Sequence, residues 1–90
     1  MKLSVVVPCY NEAVNVSEFE SELSKVLLKE KITYEIIFID DGSTDDTYSK
    51  LSSLNKANKN VKVIRFSRNF GKESAMLAGL KNASGSYVAI

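Results

Sequence analysis

Four short runs dominated by valine, isoleucine and other apolar residues, each set apart by an amphipathic stretch, constrain this chain most: LSVVVP (3–8), YEIIFID (34–40), VKVIRF (61–66) and SYVAI (86–90). The runs are nearly continuous rather than alternating, the pattern of strands covered on both faces in a parallel sheet. Between the first two, Val16, Phe19, Leu23, Val26 and Leu27 recur at helical spacing. Ser17 and Glu20 have the spacing of a capping box there, with a start a few residues earlier as the alternative. Tyr48, Leu51 and Leu54 mark a second helix. KESAMLAGLKNASG supplies a third, with Met76, Leu80 and Ala83 on one face and Gly85 as its stop. The order is βαβαβαβ. Right-handed crossovers then place the helices on the faces of one α/β sheet.

Ninety residues hold one small domain at most. A net charge of +1 gives no basic field for nucleic acid, and no apolar run reaches the length of a membrane span. The opening MKLSVVVP is too short for a signal peptide and reads as a strand. The single cysteine, Cys9, precludes an internal disulfide and suits a reducing compartment. There is no histidine, which removes histidine-based triads and metal sites. Ile90 closes an apolar run with no turn or polar tail behind it, so the stretch is expected to be the front part of a longer chain.

In parallel sheets, ligands collect beyond the carboxyl ends of the strands. Three polar loops leave those ends: CYNEA, DGSTDD and SRNFGKE. In the first, Pro8 closes the strand, Tyr10 offers an aromatic face, and Asn11 and Glu12 offer an amide and a carboxylate. That set suits a nucleoside, or simply a strand end and a helix start. In the second, Asp45 and Asp46 precede a helix, and Ser43 with Asp46 has an N-cap-like spacing. Asp40 and Asp41 end the strand ahead of Gly42, whose freedom permits a tight turn. They suit a base N–H or a ribose hydroxyl; a Mg²⁺ site and a plain polar strand end are the alternatives. In the third, Arg68 and Lys72, with Arg65 just upstream, offer cations beside a helix N-terminus, and Gly71 lets the backbone come close to a diphosphate. A solvated basic loop is the bland alternative.

SVVVPCYNE, IIFIDDGSTDDT and RNFGKESAMLAGLKNASGSYVAI together resemble the N-terminal half of family 2 glycosyltransferases, over essentially the whole chain. The resemblance is greatest to polyprenyl-phosphate glycosyltransferases of the bactoprenol and dolichol-phosphate groups. It implies the nucleotide-binding part of a Rossmann-like GT-A domain over residues 1–90. Pro8, Tyr10 and Glu12 would line the nucleoside pocket, and Asp40 or Asp41 would contact base or ribose. Lys72 and Arg68 would lie near the diphosphate; Asn11 belongs to the motif without an assigned role.

The same resemblance implies a UDP- or GDP-sugar donor, a polyprenyl-phosphate acceptor and transfer with inversion. It implies Mg²⁺ or Mn²⁺ held by an Asp-x-Asp motif that this chain does not contain, and hence an inactive fragment of a cytoplasmic-face membrane enzyme. Transfer to a saccharide acceptor is one alternative. A non-catalytic α/β module, such as a phospho-receiver or a half-domain associating through its unfinished sheet, is another.

Overall fold

The computed structural model describes residues 2–89. Strands β1 (Lys2–Cys9), β2 (Thr33–Asp40), β3 (Val61–Arg65) and β4 (Tyr87–Ala89) alternate with helices α1 (Val16–Lys29), α2 (Thr47–Ala57) and α3 (Lys72–Asn82). The sheet is parallel throughout and ordered β3-β2-β1-β4. The α/β fold read from the sequence is thus the observed one. Ile90 of the expected fourth strand lies outside the described residues.

The order reverses at β1. Two crossovers step outward from β1 to β2 and β3, and the third returns to the far side of β1. Successive strand side chains point to opposite faces, so the sheet supports two cores. On one side Tyr34, Ile36 and Phe38 pack with Val16 and Leu27 of α1 and Leu51 of α2; on the other Val6, Ile37 and Ile39 pack with Ala75 of α3. Central β2 is buried from Tyr34 to Asp40, which explains its unbroken apolar run.

The helices depart from their expected faces. In α1 the buried row is Val16, Glu20, Ser24 and Leu27, while Phe19 and Val26 remain exposed. Glu20 is not part of a capping box: its carboxylate accepts from Ser24 Oγ (2.6 Å) and Asn58 Nδ2 (3.2 Å), a polar seam between α1 and the end of α2. The helix starts at Val16, with Asn15 at the N-cap and no side-chain cap bond. In α3, Ala75 and Gly79 face the sheet rather than Met76 and Leu80, and Leu80 is exposed. Close approach is the reason. A Cβ at Gly79 would stand 2.2 Å from Val6 Cγ1 and 2.9 Å from Ile39 Cδ1. Helix α3 ends at Asn82 with Ala83 at its C-cap, so Gly85 is not the stop.

One carboxylate ties the amino edge together. Glu35 is buried and accepts from Ser4 Oγ (2.5 Å), Ser84 N (2.7 Å) and Ser84 Oγ (3.0 Å), and pairs with Lys62. Strands β1, β2 and β3 and the turn into β4 meet there, opposite the polar loops.

Candidate functional site

The three loops leave the carboxyl ends of β1, β2 and β3, where the strand order reverses and a crevice is expected. Pro8, Cys9, Tyr10, Glu12, Asp41 and Lys72 line one cleft of about 270 Å³ there. Five of the eight residues singled out from the sequence therefore meet across three loops that are distant in the chain. Tyr10 is 46% exposed, so its ring is free to meet a ligand. Pro8 lies inside β1, opposite Ile39, and the strand continues through it to Cys9. It does not close the strand.

The other three residues lie outside that lining. Asn11 stitches the first loop to the second: its N–H donates to Ser43 Oγ (2.9 Å), and its Oδ1 accepts from Thr44 N (2.8 Å). Asn11 adopts φ 52, a left-handed conformation that asparagine tolerates well. Asp40 is buried, and its Oδ1 accepts from Ser43 N (3.0 Å), closing the turn after β2. Its Oδ2 is buried without a hydrogen-bond partner. The Arg68 guanidinium lies over the Phe70 ring at 4.8 Å, and that of Arg65 over Tyr48 at 4.1 Å.

Loop two is the common anchor. Buried Thr47 Oγ1 accepts from Glu12 N (2.9 Å) and donates to Asp45 Oδ1, which also accepts from Thr47 N (2.9 Å). Those Thr47 bonds hold the Asp45 carboxyl below its ordinary range. Asp46 occupies the N-cap of α2 without a side-chain cap bond, and Ser43 Oγ is taken by Asn11, so the expected Ser43–Asp46 cap is not formed. Asp45 fills that role one position earlier.

On the other side, Asp41 is buried and reaches loop three. Its Oδ1 accepts from Phe70 N (2.8 Å) and its Oδ2 from Gly71 N (3.1 Å). Asn69 Nδ2 donates to the Asp41 carbonyl (3.3 Å), and Gly42 packs directly against the Arg68–Asn69 backbone. The space where a Cβ would stand at Gly71 is open, with no atom within 4 Å, and its φ of 103 is one that glycine adopts readily.

Sequence reasoning missed two members. Cys9 lines the cleft, and Thr47 joins two loops. Strand alternation could have placed Cys9 inward, whereas nothing local marks Thr47. Burial, reinforced by Glu12 and Asp40, pushes the Cys9 thiol up to about 12, so it is no nucleophile near neutrality.

Among the described residues no three Asp, Glu, Cys or His side chains gather so as to hold a metal ion. Asp40 and Asp41, for which a Mg²⁺ site is the alternative, turn to different loops: Asp40 Oδ1 and both Asp41 oxygens accept from backbone N–H groups. No helix among these residues is long and apolar enough to cross a membrane.

Residues 4–90 match the family model described as glycosyl transferase family 2. The chain is 43% identical over 88 residues to the putative glycosyltransferase CsbB of Bacillus subtilis, covering 98% of the chain and 27% of that protein. It is 41% identical to the bactoprenol glucosyl transferase of Shigella phage SfV, covering 98% and 29%. With the dolichol-phosphate mannosyltransferase of Pyrococcus furiosus it shares 41%, covering 94% and 23%. Among solved structures, the mannosyltransferase PcManGT of Pyrobaculum calidifontis with GDP-Man and Mn²⁺ superposes with a TM-score of 0.82 at 26% identity, over 96% of this chain and 25% of that one. TarS 1–349 of S. aureus with UDP gives 0.81 at 32%, over 98% and 26%. The chain thus spans less than a third of the length of these relatives.

Proposed function

The chain belongs to glycosyl transferase family 2, and on that premise we propose that its three loops hold the nucleoside diphosphate of a UDP- or GDP-sugar. The convergence of Pro8, Tyr10, Glu12, Asp41 and Lys72 on one cleft carries this reading. Tyr10 stacks on the base, and Glu12 and Asp41 accept hydrogen bonds from base or ribose donors. Lys72, at the first turn of α3, neutralises diphosphate charge together with the positive end of the helix. Arg68, whose guanidinium lies over Phe70, adds a second cation on the same loop. Asn11 and Asp40 hold the loops that carry these groups.

The acceptor we propose is a polyprenyl phosphate, the class named for the bactoprenol and dolichol-phosphate relatives. A phosphate monoester has a second pKa of about 6, so its oxygen attacks without a general base. The new bond forms to the anomeric carbon as the bond to the nucleoside diphosphate breaks, and the configuration inverts. A lipid acceptor and a nucleotide-sugar donor together place that reaction at the cytoplasmic face of a membrane. A divalent cation would steady the leaving diphosphate. Among the described residues no three Asp, Glu, Cys or His side chains gather to hold it, and donor binding is the part of the reaction we assign to these 90 residues. Exposed Tyr87 and Val88 on edge strand β4 favour self-association there, which size-exclusion chromatography checks.

Calorimetric titration with UDP and GDP tests the reading. The expected Kd lies between about 0.1 and 1 mM, weakened several-fold by Tyr10→Ala and about tenfold by Lys72→Ala. Titrations that stay flat for both nucleotides, or that neither substitution moves, overturn it.

A further inference from the structure

We propose that Asp41 is the positioning residue for Lys72: its carboxylate fixes the third loop and so delivers the lysine to the cleft. This inference rests on the nucleoside-diphosphate reading above and deepens it. Besides the edge-to-face contact of Phe70 with Phe66 (5.6 Å) and Gly42 against the Arg68–Asn69 backbone, loop three has little packing to hold it. Ser67, Arg68, Asn69 and Phe70 are all exposed, so no buried side chain pins the segment between half-buried Phe66 and the start of α3. What pins it is hydrogen bonding to Asp41: Phe70 N to Oδ1, Gly71 N to Oδ2, and Asn69 Nδ2 to the carbonyl.

The two carboxylate bonds fall on the residues immediately before Lys72, whose side chain is long, exposed and without a carboxylate partner among the described residues. Its reach into the cleft is therefore set by where residues 70 and 71 are held. Asp41 itself lines the same cleft. A carboxylate oxygen has more than one lone-pair direction, so the group can face a ligand while keeping its loop bonds. Nucleoside contact and phosphate contact are then linked through one side chain.

The test is a double-mutant cycle on this protein with UDP and uridine as paired probes, or GDP and guanosine. Lys72→Ala is expected to weaken UDP binding about tenfold and leave uridine unchanged, because only UDP carries the diphosphate. Asp41→Asn keeps the volume but presents an amide donor to one of the two N–H groups. In that background Lys72→Ala is expected to cost less than about twofold. An undiminished tenfold effect there overturns the proposal. Amide hydrogen exchange of Phe70 and Gly71 supplies a measurement that needs no nucleotide. Protection of both in the wild type, lost at least about tenfold in Asp41→Asn while Ile37 at the sheet centre stays protected, supports it. Unprotected Phe70 and Gly71 in the wild type overturn it even if Asp41→Asn does not fold. A flat UDP titration with protected amides overturns the nucleotide reading and the delivery of Lys72 to a diphosphate, and retains only the loop anchor.

Discussion

Glu35→Gln should cost this small domain a large part of its stability near pH 7 and nothing near pH 2. The carboxylate is 1% exposed and receives hydrogen bonds from Ser4 and twice from Ser84, beside the Lys62 ion pair. Burial alone would raise its pKa, but the bonds from Lys62, Ser4 and Ser84 outweigh it and bring it from 4.5 down to about 2. At 1.36 kcal/mol per pKa unit, that difference bounds the contribution at roughly 3 kcal/mol. Lys62 is 49% exposed, and solvent screens its share, so about 2 kcal/mol is the working value. Because the folded-state pKa is depressed, this stability is fully present above the unfolded value. It is lost as pH falls from about 4.5 toward 2. Thermal unfolding followed by circular dichroism, wild type against variant across that range, isolates the group because the other carboxylates cancel in the difference. A Tm gap of about 8–15 °C is expected near pH 7, closing toward pH 2. A gap of under about 3 °C near neutrality, or one that persists unchanged in acid, would refute the assigned role.

Gly79→Ala should destabilise by about 1–3 kcal/mol despite alanine's better helix propensity, because its Cβ would stand 2.2 Å from Val6 Cγ1; an unchanged urea midpoint would contradict the packing. The Cys9 thiol, raised to about 12 chiefly by burial, should resist a thiol reagent near pH 8 in the native protein and react in urea; prompt native reaction would place it elsewhere. Asn11→Ala should lose about 1 kcal/mol and Asn11→Gly less, since glycine accepts the φ of 52 but not the hydrogen bond from Thr44; the reverse order of urea midpoints would assign the residue a different task.

The same contrast runs through the fold and the candidate site. The β2 run from Tyr34 to Asp40 announced a strand buried on both faces, and it is one. The α1 pattern announced a helix but not its orientation: Phe19 and Val26 looked inward by period, yet Glu20 and Ser24 took the buried row once Asn58 was near enough to bond with them. In α3 the larger side chains suggested the core face, whereas Gly79 decided it by allowing contact with Val6 and Ile39. The sequence divided the four aspartates around loop two into a strand-end pair and a helix-start pair, but not their tasks: Asp40 closes a turn, Asp41 anchors loop three, Asp45 ties down Thr47, and Asp46 occupies the N-cap of α2.

The amino-acid sequence alone determined the βαβαβαβ order, the sheet type and the edge at which polar groups gather, because strand and helix periodicities are written in neighbouring residues. Only the tertiary structure decided which of those polar groups face the cleft and which hold the loops. A hydrogen-bond partner such as Phe70 N for Asp41 lies 29 residues away, and its distance is set by packing rather than by any local pattern.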